Sequence, residues 1–533
     1  MRAVFSVRSD LLPRLPLATR TVAPLAAIKL LLGFAVLSAH QFGVHRDEFL
    51  YFSMGAHLRL WRMDFPPAIA LLANVSRSLF GESLTAVRIF PTVEGTVLLV
   101  LAAMVARELG GGRWAQALAA VGVLASPLFL RAGILFQPVV LDQIWWTLAL
   151  LFLARVGRAR GGRIADGRVE IRGWLGLGFA LGLGLLTKFS ILFLGVGILG
   201  AMAVTPLRRT LLTPWPWVAA AIALIIGSPS IVGQVALGYP VVGQMRDLAG
   251  SQLAHVTWSA FIVEQVLMIG PVAFAVAVAG EIALLAWRPL RPFRMLAVAC
   301  LVPFVMLLLL HGKSYYAGPI YPTLSAVGGI LIERAPFALV SWPTRLLRWG
   351  TLAGVVGFGL MALPVALPLL SPAMTAAYAA RLGVSPALRT NQGEMDRLPQ
   401  DFADMIGWQE QVRAVAAVYH SLSLDEQRQG VIAAGNYGEA GAAEFYGARY
   451  GLPAVVSPAG SFWFFGPGTK PGRVLVVIGG DPHDLQQMYG DIAVAARVKS
   501  PWSVSEERDV PIYVARSPRM TLQQAWPALA GRN

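Results

Sequence analysis

The chain has 533 residues, of which 56% are hydrophobic and only 14% are charged. A soluble domain carries roughly 25% charged residues, so a soluble fold of this size is excluded, and the chain is too apolar to be disordered. The net charge of +15 does not by itself indicate nucleic-acid binding, because excess Lys and Arg in a membrane protein is first explained by cytoplasmic loops. The single cysteine, Cys300, excludes an internal disulfide and a Cys-based metal site.

The N-terminus is predicted to lie in the cytoplasm, ahead of a membrane helix that is retained. Arginines at positions 2, 8, 14 and 20 precede an apolar run over 23–39. The competing interpretation is a cleaved signal peptide, which has an apolar core of about 7–15 residues and a small-residue cleavage site. This run is longer and leads into His40, so we expect a first transmembrane helix.

A membrane span needs about 20 mostly apolar residues, and we count about eleven by that rule. The predicted spans cover 22–42, 84–106, 114–131, 137–155, 173–187, 189–206, 212–233, 261–287, 293–311, 316–333 and 348–370. The apolar stretch 66–80 is short and carries polar side chains, so we expect an interfacial or re-entrant helix there. The prediction is a polytopic α-helical membrane protein with about 11–13 transmembrane helices.

Charge gives the orientation of these spans. If the N-terminus is inside and the spans alternate, most of the Arg and Lys before residue 370 falls in cytoplasmic segments, including a dense run of arginines over 155–172. This distribution agrees with the positive-inside rule. An odd number of spans places the C-terminus outside. We therefore expect a multi-pass protein of the cytoplasmic (inner) membrane.

The composition changes after residue 370, which divides the chain into two predicted domains. Residues 1–370 form a transmembrane domain with a first outer loop at 43–83, and residues 371–533 form a small extracytoplasmic α/β domain. In the second domain, Val431–Ala434 and Arg473–Ile478 are predicted strands. Asp401–Tyr419 and Ala440–Tyr450 are predicted helices.

The first outer loop contains two adjacent carboxylates, Asp47 and Glu48, in the segment HRDEFLY at 45–51. Charges at the membrane boundary are costly and are functional candidates by default. The structural alternative is an interfacial loop whose acids pair with Arg46, Arg59 or Arg62.

Other polar and aromatic residues of this loop are candidates to line a cavity. Two prolines before an apolar run mark a helix start at the membrane surface. The two histidines of the loop, together with the acids, are one potential metal site. The loop candidates are His45, Tyr51, His57, Pro66 and Pro67.

A third acid, Asp142, lies at the predicted outer end of the fourth span, on the same side as Asp47. Two acids on one face can bind a cation or share the work of a general base. The structural alternative is an acid favoured by the dipole at a helix N-terminus.

Two lysines are predicted at the same outer surface. Lys188 follows Thr187 between two spans, and Lys313 lies in HGKSYY at 311–316, where irregular backbone indicates a cavity. Such lysines can bind a phosphate, or can extend to lipid headgroups. The neighbouring tyrosines are candidates to line a donor cavity, the alternative being an interfacial aromatic belt; they are Tyr315, Tyr316 and Tyr321.

The order of these motifs resembles that of the GT-C membrane glycosyltransferases, in the protein O-mannosyltransferase and aminoarabinose–lipid A transferase superfamily. The resemblance covers roughly 25–480 and is closest to the bacterial dolichyl-phosphate-mannose-protein mannosyltransferase-like subgroup. It rests on Asp47-Glu48, Pro66-Pro67, Asp142, Thr187-Lys188, the segment 312–322, Asn436-Tyr437, Glu444-Phe445-Tyr446 and the segment 462–467. The chain departs from the family at Phe65, where histidine is common before the prolines.

The resemblance implies a sugar donor linked through phosphate to a polyprenol, and an acceptor hydroxyl on a protein, lipid or cell-wall glycan. It implies that Asp47 is the general base, that Glu48 and Asp142 complete the acidic site, and that Lys188 and Lys313 bind the donor phosphate. The cofactor prediction is none certain; a divalent metal ion, if present, would bind Asp47, Glu48 and Asp142.

Two other function classes stay open at this point. A lipid or sugar transporter, or flippase, predicts two-fold repeats and polar groups near the bilayer midplane, and neither is evident in the sequence. A non-catalytic membrane scaffold and a lipid-linked phosphotransferase are further alternatives.

Overall fold

The computed structural model describes residues 12–161, 166–334, 341–383, 388, 390 and 393–530. Arg2 and Arg8, which entered the charge argument, lie outside these residues. The first half of the helical bundle contains α1 (Thr19–Ala39), α2 (Arg46–Ala56), α3 (Ala68–Phe80), α4 (Leu84–Glu108), α5 (Arg113–Ala125), α6 (Pro127–Ala132), α7 (Pro138–Gly161), α8 (Gly167–Thr187) and α9 (Ile191–Val204).

The second half of the bundle continues with helices of similar apolar composition. It contains α10 (Trp215–Ala236), α11 (Pro240–Ser251), α12 (Trp258–Ile269), α13 (Pro271–Ala286), α14 (Arg294–Leu309), α15 (Tyr321–Arg334), α16 (Ser341–Ala366) and α17 (Pro372–Leu382). A 3-10 helix, Ser314–Ile320, precedes α15.

The chain is a multi-pass membrane protein. Within the described ranges, seven helices are long and apolar enough to cross a membrane, or up to nine if each of two bent helix pairs is one span. The other two predicted spans coincide with α5 and α15, which have 13 and 14 residues. Each of the eleven predicted stretches therefore falls on a helix or a bent pair.

Several predicted spans are not continuous helices. The stretch 114–131 is interrupted at Ser126, between α5 and α6, and two others are sharply bent. The stretch 261–287 is divided into α12 and α13, which meet at a bend of 107°. In the stretch 189–206, helix α9 ends at Val204. A bend of 97° then leads into the 3-10 helix Pro206–Leu212. Hydropathy reports only that a stretch is apolar, so it does not detect these bends.

The bundle core lies where α4, α7, α8, α9 and α14 meet. Its largest fully buried side chains include Trp146, Trp174 and Phe293. Lipid tails are as apolar as these side chains, so close packing and interhelical hydrogen bonds stabilise the bundle.

The C-terminal part of the chain holds a five-stranded sheet in the order β2-β1-β3-β5-β4. The pairs β1–β2 and β1–β3 are parallel, whereas β3–β5 and β4–β5 are antiparallel. The strands are β1 (Gly430–Ala434), β2 (Val455–Val456), β3 (Val474–Ile478), β4 (Tyr489–Lys499) and β5 (Asp509–Pro518).

Helices cover this sheet. They are α18 (Gln400–Ala403), α19 (Trp408–Ser421), α20 (Leu424–Gln429), α21 (Tyr437–Gly447), α22 (Ser461–Phe465), α23 (Pro482–Met488) and α24 (Leu522–Ala525). The predicted strands Val431–Ala434 and Arg473–Ile478 coincide with β1 and β3. The predicted helix Asp401–Tyr419 was wrong as one helix, because α18 and α19 are separate.

The sheet region shares a hydrophobic core with α2 of the bundle. Phe49 of α2 is fully buried and makes edge-to-face contacts with Trp408, Phe445 and Tyr446. This packing seats the N-terminal end of α2 against the sheet region, where the candidate site lies.

Candidate functional site

The N-terminus of α2 is closed by a capping box. The His45 ring accepts a hydrogen bond from the backbone N–H of Asp47 at 3.1 Å, and the Glu48 carboxylate accepts one from the backbone N–H of His45 at 2.7 Å. Such reciprocal bonds satisfy helix N–H groups that have no partner within the helix. The adjacent acids therefore lie in the first turn of a helix rather than in a loop.

Glu48 is fully buried, and both of its oxygens are bonded. One oxygen accepts from the Arg88 guanidinium and from the backbone N–H of Phe136, the latter at 2.7 Å, and the other closes the cap at His45. Burial raises the pKa of the Glu48 carboxyl, while the Arg88 charge opposes that shift. Glu48 thus holds the start of α2 against α4 and the chain before α7.

Asp47 is half-buried and has different neighbours. Its Oδ1 accepts a hydrogen bond from the Tyr437 hydroxyl at 3.0 Å, and its Oδ2 accepts one from the Gln137 amide at 3.1 Å. The carboxylate therefore lies between the sheet region and the chain just before α7. Each oxygen still has acceptor capacity for a further donor.

The two predicted phosphate-binding lysines lie near the same tyrosine pair. The Lys188 ammonium is 4.4 Å from the centre of the Tyr316 ring and 5.1 Å from that of Tyr315. These are cation–π distances. The two rings also contact each other edge to face, with centres 4.6 Å apart.

Lys313 begins the segment that carries these tyrosines. Burial lowers the pKa of Lys313, and the neighbouring Tyr316 and Asp47 oppose this effect. Within the described residues, neither Lys313 nor Lys188 forms an ion pair with a carboxylate.

Asp142 is buried at the start of α7. It accepts hydrogen bonds from the Trp146 indole at 3.1 Å and from the Ser190 hydroxyl at 2.7 Å. Ser190 is two residues beyond Lys188, so Asp142 anchors the segment that carries that lysine.

The residues present do not fit the predicted metal site. Among the described residues, no group of three or more His, Cys, Asp or Glu side chains is arranged to hold a metal ion. Asp47, Glu48 and Asp142 each bond to separate protein donors, as described above. Asp47 and Glu48 are adjacent on a helix, yet they face different surroundings.

The other predicted tyrosines lie around this cluster. Burial, with Asp47 and Tyr316 nearby, raises the pKa of Tyr51 well above its usual value. The Tyr321 hydroxyl donates to the Gln265 amide oxygen at 2.7 Å and is buried, so Tyr321 supports the segment that follows Lys313.

Three loop candidates lie elsewhere. His57 is ten residues after Asp47, about 15 Å along α2, where it stacks on Phe465 and bonds to Glu444 at 2.9 Å. Pro66 and Pro67 precede α3, as the sequence predicted. None of the three contacts the Asp47 carboxylate among the hydrogen bonds and ring contacts of the described residues.

His45 faces two acids that the sequence did not single out. Its Nε2 lies 3.8 Å from Asp401 and 3.9 Å from Asp404. Burial lowers the pKa of His45, but the carboxylates of Asp401, Asp47 and Asp404 outweigh it and raise the pKa to about 9. Burial is the largest effect at Asp404 and raises its pKa to about 6.

Other site residues were also missed. Gln137 begins the predicted span 137–155 that also holds Asp142, and Tyr437 stands in the Asn436-Tyr437 motif, but neither had a predicted role. Arg88 was not singled out. A polar residue inside a motif that already contains an acid was the available signal for Gln137. No local pattern signalled the partners of Arg88, Asp401 or Asp404.

Comparisons with known proteins agree with this architecture. A sequence model of the dolichyl-phosphate-mannose-protein mannosyltransferase family matches residues 64–232. No curated protein matches the chain by sequence. Among solved structures, ArnT from Cupriavidus metallidurans bound to undecaprenyl phosphate aligns with a TM-score of 0.59 at 16% identity, covering 93% of this chain and 98% of ArnT.

Two further structures are similar. ArnT from the same organism in the apo state aligns with a TM-score of 0.56 at 16% identity, covering 97% of this chain and 100% of ArnT. The archaeal oligosaccharyltransferase AglB from Archaeoglobus fulgidus aligns at 14% identity with a TM-score of 0.44, covering 77% of this chain and 62% of AglB. The family model and the ArnT fold confirm the predicted resemblance to the GT-C membrane glycosyltransferases.

Proposed function

We propose that the protein transfers a sugar from a polyprenyl-phosphate donor to an acceptor hydroxyl. The observation that carries this proposal is the half-buried Asp47 carboxylate, held by two donors, together with Lys313, whose neighbour Tyr316 also contacts Lys188. A base for the acceptor hydroxyl and cations for the leaving phosphate suit such a reaction. The family match and the ArnT fold support the same reaction class.

Asp47 is the proposed general base. The acceptor oxygen forms a bond to the anomeric carbon while the bond from that carbon to the phosphate oxygen breaks, and Asp47 takes the hydroxyl proton. General base catalysis contributes about 10²–10⁴-fold. Asp47 suits this role because it is half-buried and accepts two hydrogen bonds, whereas Glu48 is fully buried and accepts three.

Lys188 and Lys313 are proposed to bind the donor phosphate and to stabilise the charge that develops on it as the sugar leaves. Fixed cations aimed at a developing charge are worth a few kcal/mol. Tyr315 and Tyr316 hold Lys188 by cation–π contact, and Ser190, bonded to Asp142, supports the same segment.

We assign supporting roles to the remaining acids. Glu48 fixes the first turn of α2 through its bonds to Arg88 and to the backbone, and Asp142 fixes the segment at 188–190 through Ser190. Both roles act through other residues rather than on the substrate.

We further propose that the site faces the outside of the cytoplasmic membrane. The excess of arginine and lysine in the alternate segments supports this orientation. A lipid-linked donor also suits a face where nucleotide sugars are absent. The acceptor class is a hydroxyl of a protein, a lipid or a cell-wall glycan.

The test is a transfer assay in membranes that contain the intact protein and radiolabelled polyprenyl-phosphate sugars of several types. We expect label to reach an endogenous lipid, protein or polysaccharide fraction, and Asp47→Asn to lower transfer about 10²–10⁴-fold. Asp491→Asn, which changes an exposed acid on β4, is the matched control and keeps wild-type transfer.

Equal transfer by wild type and Asp47→Asn would remove Asp47 as the base. No transfer by any variant, with every donor tried, would favour a transporter or a scaffold.

A further inference from the structure

We infer that Tyr437, with Gln137, is a positioning residue for the Asp47 carboxylate, so that the sheet region completes the site. This inference rests on the proposed function of Asp47 as the base. Tyr437 donates to one carboxylate oxygen at 3.0 Å and Gln137 to the other at 3.1 Å. Two donors, one on each oxygen, fix both the position and the plane of a carboxylate.

Tyr437 is held where it can do this. It is the first residue of α21, directly after the N-cap Asn436, whose side chain accepts from the backbone N–H groups of Gly438 and Glu439. The Asn436 amide also donates to the buried Glu507 at 2.8 Å. The start of α21 is therefore fixed on both sides.

The same network reaches back to α2 through the residue before Asp47. The Arg46 guanidinium pairs with Glu507 at 3.1 Å and lies 5.9 Å from the centre of the Tyr437 ring. Asp47 lies on α2 and Tyr437 on α21. The buried Glu507 contacts the starts of both helices, through Arg46 and Asn436. A shift of either helix start would disturb a contact of Glu507, with Arg46 on one side or with Asn436 on the other.

The hydroxyl of Tyr437 acts as a donor at every working pH. Burial, with the neighbouring Asp47 carboxylate, raises the pKa of Tyr437 well above its usual value, so the phenol stays protonated. A donor aimed at a carboxylate stabilises the charged form that a general base needs. Each Asp47 oxygen still has capacity to accept a hydrogen bond from an acceptor hydroxyl.

The two residues that hold the Asp47 carboxylate come from distant parts of the chain. Tyr437 is 390 positions from Asp47, and Gln137 is 90 positions away. Small displacements of a reacting group cost as much as 10²-fold in rate. The sheet region therefore contributes to the reaction through the Tyr437 hydroxyl as well as through its hydrophobic contact with α2.

The first experiment compares Tyr437→Phe with Tyr446→Phe in the full-length protein, using the transfer assay over a range of pH. Tyr446 lies on the same helix and packs on Phe49, away from the Asp47 carboxylate, so its substitution is the matched control. For Tyr437→Phe we expect transfer to fall about 10- to 100-fold. We also expect the acidic limb of the pH profile to move up by about one pH unit, because the charged base has lost a donor.

For Tyr446→Phe we expect the acidic limb of the pH profile to stay where it is in the wild type. A profile for Tyr437→Phe that is lowered at all pH values without a shift of the limb would overturn the positioning role, since a purely structural loss scales activity evenly.

A second measurement does not depend on activity. Thermal unfolding of the purified wild type, Asp47→Ala, Tyr437→Phe and the double variant forms a double-mutant cycle. If the hydroxyl acts on Asp47, the double variant unfolds at the same temperature as Asp47→Ala alone.

Additive losses in this cycle would overturn the inference. If wild type shows no transfer, the proposed function fails, and the cycle still decides whether Tyr437 holds Asp47.

Discussion

Asp47 and Glu48 are adjacent in sequence but have different surroundings. Successive residues of an α-helix point roughly 100° apart, so one carboxylate of the first turn of α2 meets Tyr437 and Gln137 while the other meets Arg88. Glu48 is fully buried and Asp47 is not. This difference separates the proposed base from its structural neighbour.

Substitution of Glu48 is expected to affect folding before it affects chemistry. Glu48→Gln leaves the Arg88 guanidinium buried without a counter-charge, and breaking a buried ion pair costs about 3–5 kcal/mol. Thermal unfolding in detergent should show a clear loss of Tm for Glu48→Gln and a much smaller one for Asp47→Asn. Equal Tm values for the two variants would contradict the assigned role of Glu48.

The bend between α12 and α13 positions the segment that carries Lys313. Gly270 joins the two helices with φ of 93° and ψ of 142°, a conformation that is essentially restricted to glycine. The bend presents the end of α12 to this segment, where Gln265 bonds to the carbonyl of Ser314 and to the Tyr321 hydroxyl. The broken span thus brings Gln265 into contact with the residues that follow Lys313.

Gly270→Ala is expected to destabilise the protein by about 1–3 kcal/mol. An added Cβ would meet the Phe358 ring at 2.7 Å, on a backbone that L-residues avoid. Gly357→Ala, in the adjacent helix α16, meets nothing within 4 Å and is the control. Thermal unfolding of both variants checks this, and equal Tm values would show that the backbone at Gly270 can relax.

At the scale of the whole molecule, Arg46 of α2 links the bundle to the sheet region. Arg46 pairs with Asp404 at 3.5 Å, Glu506 at 3.2 Å and Glu507 at 3.1 Å, and its guanidinium lies 5.7 Å from the centre of a Trp408 ring. Because Asp404 and Glu507 are buried, these charges are poorly screened by solvent. Arg46 directly precedes Asp47, the proposed base, in the sequence.

Arg46→Met is expected to loosen the sheet region while leaving the membrane bundle folded. Removal of the cation leaves buried carboxylates unpaired, so backbone hydrogen exchange in α21 should become about ten-fold faster or more. Arg428→Met, which breaks an exposed pair with Asp425, should change exchange very little. Unchanged exchange in α21 for Arg46→Met would show that the Arg46 ion pairs are not needed to hold the two parts together.

The sequence by itself determined the class of protein and the neighbourhood of the site. Hydropathy and charge are properties of local windows, and they were sufficient to predict the helical stretches and the multi-pass membrane fold. Motif order predicted the GT-C resemblance and directed attention to Asp47, Asp142, Lys188 and Lys313. The same local signals predicted β1 and β3, which are short buried runs.

Only the tertiary structure decided which side chains these groups contact. A window of apolar residues does not report a bend, so the break at Gly270 was missed, and the exposed strand β4 lacks a buried run. The bond from Tyr437 to Asp47 joins positions 390 apart, and the pairing of Glu48 with Arg88 depends on how α2 packs on α4. Such contacts arise from packing between elements distant in the chain, and no local pattern encodes them.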